Sequence, residues 1–141
     1  MYSLGVRTSN VTAANACLEI IAPPLTALDI MEIEIFAAST VATAAVGLGR
    51  PAAIGLVPTT PVALLSEDDP VRTTLAATAL AWGTGPTVPA NFFRRTFLPA
   101  VGNTARWIFQ DGLAIPAGGS IVLWNIATSC LLDVTVKAVE R

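Results

Sequence analysis

Apolar and polar residues alternate with a period of two along much of this chain, most clearly near its end. In Leu131-Leu-Asp-Val-Thr-Val-Lys-Ala-Val139, the residues Leu132, Val134, Val136 and Ala138 fall on one side, and Asp133, Thr135 and Lys137 on the other. That is a strand with one face on a core and the other in water. Met31-Glu-Ile-Glu-Ile35 repeats the pattern, with Met31, Ile33 and Ile35 inward and Glu32 and Glu34 outward. Leu18-Glu-Ile20 is a shorter copy, and Ala105-Arg-Trp-Ile-Phe109 sets Ala105, Trp107 and Phe109 against Arg106. Further strands are predicted at residues 4–8, 42–48, 52–57, 73–82, 92–98 and 120–126. The Ala-rich 73–82 run suits a helix by propensity, but Thr73, Thr74, Thr78 and its place among strands assign it as a strand. The predicted core holds Leu18, Ile20, Ile33, Ile35, Trp107, Phe109, Leu123, Val134 and Val136.

Turn-forming residues separate these runs: Pro23-Pro24, Pro58, Pro61, residues 83–89, Pro99, Gly102-Asn103, Asp111-Gly112 and Ala117-Gly-Gly119. Punctuation every 8 to 12 residues or so marks a sandwich or barrel. There is no repeat, linker or low-complexity tail, so residues 1–141 read as a single all-β domain. Gly112-Leu-Ala-Ile-Pro-Ala-Gly-Gly-Ser-Ile-Val-Leu-Trp-Asn125 is a strand, a turn and a second strand, with one last strand to follow. That ending looks like the tail of viral and tumour-necrosis-factor-like jelly rolls. The expected architecture is an antiparallel β-sandwich, jelly-roll-like, with about eight strands forming two Greek keys.

Composition changes the picture in one respect. Charged residues make up 13% of the chain and hydrophobic ones 53%, where an ordinary soluble domain is roughly 25% charged. So few charges leave neutral and apolar surface exposed, and such patches mark protein–protein contact. The charge-free stretches 73–93 and 112–132 match a bilayer in length, but their prolines and glycines would break a membrane helix. No membrane partner is expected, and the first residues lack the basic and apolar blocks of a signal peptide. Net charge is −2, against a nucleic-acid footprint. All the basic residues but Lys137 are arginine. Arginine suits interfaces, although a GC-rich genome produces the same bias.

Candidate chemistry is sparse. With no histidine, Ser-His-Asp and Cys-His catalysis and His-ligated zinc are absent. Glu32 and Glu34 share a strand face, as ordinary solvated pairs do. Glu67-Asp68-Asp69 offers oxygen ligands for Ca²⁺ but lacks the spaced acids and glycine of a dedicated loop, so a solvated turn accounts for it better. Gly47-Leu-Gly-Arg-Pro51 lacks the third glycine and following helix of a phosphate loop. Asn10-Val-Thr12 fits a glycosylation acceptor, unsupported by any secretory signal. Phe92-Phe-Arg-Arg-Thr-Phe97 interleaves aromatics and bases as single-strand platforms do. Strand alternation explains it more simply, with Phe93 and Phe97 on one side and Phe92 and Arg94 on the other. No enzyme, cofactor or metal is expected. The two cysteines are expected to be buried free thiols. If the second and last strands of the roll are antiparallel neighbours, Cys17 and Cys130 lie far apart and unbonded.

Gly47-Leu-Gly-Arg-Pro-Ala-Ala-Ile-Gly55, Pro58-Thr-Thr-Pro61, Ala81-Trp-Gly-Thr84, Pro89-Ala-Asn-Phe-Phe-Arg-Arg95 and Ile115-Pro-Ala-Gly-Gly-Ser120 together resemble small virion proteins of tailed bacteriophages. The closest class is the capsid decoration, or cement, proteins. The resemblance implies a β-rich homotrimer, made in the host cytoplasm, that sits on the capsid exterior and bridges major capsid proteins. It carries over no catalytic residue. Arg50, Arg94, Arg95 and Arg106 are the candidate contacts with sister subunits or the capsid. The alternative is a trimeric receptor- or carbohydrate-binding jelly-roll module of a tail or head fibre.

Overall fold

The computed structural model describes residues 1–9, 11–40, 42–58, 61–67 and 75–141. In chain order the strands are β1 (Tyr2–Arg7), β2 (Asn15–Ile21), β3 (Leu28–Thr40), β4 (Ala44–Gly49), β5 (Leu56–Pro58), β6 (Pro61–Ser66), β7 (Leu75–Ala79), β8 (Trp82–Thr84), β9 (Phe92–Leu98), β10 (Thr104–Ile115), β11 (Ser120–Ala127) and β12 (Cys130–Glu140). All pairings are antiparallel. One layer runs β10-β3-β12-β1 and the other β2-β11-β4-β9. This is the strand order of a jelly roll, with each layer built from alternate turns of two Greek keys. The expected β-sandwich is the fold observed.

Eight strands complete the roll, and the remaining four belong to the segment between β4 and β9. There β5 pairs with β8, while β6 and β7 form a hairpin that joins β1 of one layer to β2 of the other. Strand β6 starts at Pro61, which the sequence reading treated only as punctuation; proline is tolerated at the first residue of a strand. Residues 52–55 are not strand, and β5 begins at Leu56. The 73–82 prediction divides into β7 and β8, and its first two residues lie outside those described. Asn10, Asp68 and Asp69 lie outside them too.

The core fills the space between the layers. Leu28, Ile30, Ile33, Ile35, Leu132, Val134 and Val136 face Leu18, Ile20, Val46, Leu48, Ile121 and Leu123 across it. Trp107 packs against this cluster but is only half-buried, because β10 is an edge strand. Met31, expected inside, faces outward. Ile30 and Glu32 pair with consecutive residues Ala138 and Lys137, so Met31 is an extra residue that reverses the alternation. Asp111-Gly112, expected as a turn, lies within β10 at a second irregularity, where Gly112 adopts φ 76°. A side chain at Gly112 would be strained and would meet Asp29 Cβ at 2.9 Å. The Pro116-Ala-Gly-Gly119 turn is as expected, with Gly118 at φ 70° and the Gly119 N–H donating to Pro116 O at 2.8 Å.

Candidate functional site

The two outer faces of the sandwich differ in kind. On the β10-β3-β12-β1 face, cross-strand neighbours pair by charge. Arg7 grips Asp133 through two hydrogen bonds of 2.6 and 2.7 Å, and Arg106 Nη2 donates to Glu32 Oε2 at 2.6 Å. Arg7 pulls the Asp133 carboxyl below its ordinary range, and Arg106 does the same to Glu32. Charged pairs dominate this face, although Ile108 and Phe36 are also exposed on it.

The β2-β11-β4-β9 face is apolar and is covered over only part of its area. Every residue of β4 is buried; on its outer side Gly47 lies against Phe92 and Ile126, and Gly49 against Pro89 and Asn91. Gly47 and Gly49 make room for these side chains. A Cβ on Gly47 would lie 2.6 Å from the Phe92 ring, and one on Gly49 would lie 2.5 Å from Pro89 Cβ. The glycines thus serve packing rather than phosphate binding. Glu19 fastens this cover. The sequence pattern placed it in solvent, yet it is 0% exposed. Its carboxylate accepts from Gly55 N–H at 3.1 and 3.3 Å, Trp82 Nε1–H at 2.9 Å and Ser120 Oγ–H at 2.7 Å. A buried carboxylate is tolerable only when its lone pairs are used in this way.

Beyond the cover, the same face is open. Ala45, Phe97, Ile126 and Ala127, with Arg95 and Thr96, line a groove of about 440 Å³. The register builds it: Phe97 stands opposite Ala45, which stands opposite Ala127, so large side chains flank small ones. Phe97 is 73% exposed. Its direction corrects the expected alternation. Arg94 pairs with Leu48 and Phe92 with Gly49, so Phe93 is an extra residue; it turns to the core while Phe97 turns outward.

The four predicted arginines separate in space. Arg95 lines the groove. Arg94 donates to Phe93 O of its own strand at 2.9 Å, and its guanidinium lies 5.5 Å from the Phe109 ring centroid, a contact between edge strands β9 and β10. Arg106 is in the charged face, and Arg50 donates to Ala114 O at 2.7 Å. Sequence reasoning missed Phe97, Ile126 and Glu19 as a set. The one available signal was Glu19, a lone charge within the apolar stretch 16–22. Among the described residues no group of three acidic or thiol side chains could hold a metal ion. No protein-family model, curated protein or solved structure matches the chain at a significant level.

Proposed function

We propose that the protein is a structural virion component, a homotrimeric decoration protein that binds the outside of a capsid lattice and strengthens it. The observation that carries this reading is the uncovered apolar groove around Phe97 on the jelly roll. Exposed apolar surface of this kind, bordered by arginine, fits a protein contact. The mechanism is adhesion. A protein that bridges neighbouring subunits stabilises the assembled shell by mass action, because it binds the lattice and not the free subunits. The resemblance to small phage virion proteins supports the same class, and the poverty of titratable groups fits a role without catalysis.

Co-sedimentation with capsids tests the capsid role, and light scattering at micromolar concentration tests the trimer. Phe97→Ala with Arg95→Ala is expected to weaken capsid binding or trimerisation at least tenfold, the effect of removing contacts worth about 2 kcal/mol. The circular dichroism of the sandwich should stay unchanged. A protein that follows tails rather than shells would be a fibre or receptor-binding module. A stable monomer that ignores both would remove the assembly reading.

A further inference from the structure

Three small residues, Gly49, Gly47 and Ala45, stand along the outer side of β4, while Val46 and Leu48 between them face the core. The chain itself occupies the first two positions. Pro89 and the Asn91 carbonyl lie where a Cβ on Gly49 would stand, and the Phe92 ring and Ile126 lie where one on Gly47 would stand. Residues 85–91, which supply Pro89 and Asn91, are neither helix nor strand. Irregular main chain therefore seats directly on this sheet. The third position is open. Ala45 and Ala127 line the groove there, with Phe97 beside them and 73% exposed. Of the residues that line it, only Arg95 is charged, and none is acidic. Arg95 and Phe97 are two residues apart on β9, so both project outward, roughly 7 Å from each other.

We propose that this groove recognises an extended segment of a partner protein in which an apolar side chain and a carboxylate stand two residues apart; the proposal rests on reading the groove as a protein contact. The apolar side chain fills the open third position, against Phe97 and over Ala45 and Ala127. Two residues along, the carboxylate reaches Arg95, because an extended segment repeats on one side at the same spacing as β9. Guanidinium and carboxylate then pair through charge-assisted hydrogen bonds. A lysine at that position would meet like charge instead, which is how the site refuses the wrong segment. A second copy of the chain fits less well. An isologous contact would set groove against groove, and the groove holds no acid to answer the Arg95 of its sister.

The test presents the full chain to a synthetic library of random linear octapeptides and measures the selected peptides by fluorescence anisotropy. The expected sequences carry Asp or Glu two positions from a large apolar residue. Arg95→Glu should weaken these peptides by about tenfold or more and shift selection to Lys and Arg at the acidic position. Phe97→Ala should weaken them as much without any shift of charge. Both side chains are exposed, and unchanged circular dichroism shows that the variants fold. Selected peptides without an acid, equal binding by Arg95→Glu, or no selected peptide would each overturn the proposal. An oligomer that takes up no peptide and that Phe97→Ala dissolves would give the groove to a second copy and overturn it as well. Co-sedimentation with capsids but no selected peptide removes this inference alone. Selected peptides without co-sedimentation support it and remove only the capsid role.

Discussion

Glu19 shows how one residue can decide where a long segment goes. It reads as solvent-facing because Leu18 and Ile20 alternate around it, and it does point away from the core. Its outer side is not water, however, but the backbone at Gly55 and the Trp82 indole, and no local pattern reports that. Its four accepted hydrogen bonds join β2, β11, β8 and the backbone at Gly55. Gly55 has no alternative there, because a Cβ would fall 2.1 Å from Trp82 Cδ1. Glu19→Ala would leave three buried donors without acceptors, at about 1–3 kcal/mol each before relaxation. The expected total loss is about 3–5 kcal/mol in urea unfolding, with quenched or shifted Trp82 fluorescence. Glu19→Gln keeps the shape and one acceptor and should lose less than half as much. A Glu19→Gln variant as stable as the unsubstituted protein would mean that the carboxylate acts only as filler.

At the level of elements, existence was legible and parity was not. Strands β9, β11 and β12 could be read almost to the residue, because alternation and turn residues agree there. The errors fall where a strand holds one residue more than its partner, at Met31 in β3 and Phe93 in β9. Such a residue reverses which face its neighbours use, and the partner strand that reveals it is far away in sequence. The site was illegible for the same reason, since Phe97 faces the groove only because Phe93 takes the core. Regular pairing is what makes the charged face predictable. Asp133 and Glu32 are both held below the usual carboxylate range by arginine partners. Unfolded chains therefore take up these protons first as pH falls. The stabilisation is complete above the ordinary carboxyl value of about 4 and drains away through the lowered values beneath it. Both pairs are exposed, so the effect is small and sensitive to salt. Asp133→Asn combined with Glu32→Gln should flatten the fall of thermal midpoint between pH 5 and about pH 2, while leaving the midpoint at neutral pH almost unchanged. A fall as steep as before would assign acid sensitivity to other carboxyls.

At the scale of the whole molecule, the two layers form one hydrogen-bonded series of ten strands, creased at β6 and β7. Its two ends, β9 and β10, meet through Arg94 and Phe109. Strands β9 and β10 are the edges of this series, and no backbone ladder joins them among the described residues, so contact with another chain can use either an edge or side-chain surface such as the groove. The series also fixes how the molecule resists force. Tyr2 stands opposite Ala138 and Arg7 opposite Asp133. A load applied at Tyr2 and Ala138 therefore opens the β1–β12 ladder one rung at a time, like a zip. A load applied at Tyr2 and Cys130 strains all the rungs together. Single-molecule pulling through these two pairs of attachment points should give clearly higher rupture forces for the second. The same fold is thus weak to peeling at one corner and strong to shear along its length, and its mechanical strength depends on where a neighbour takes hold.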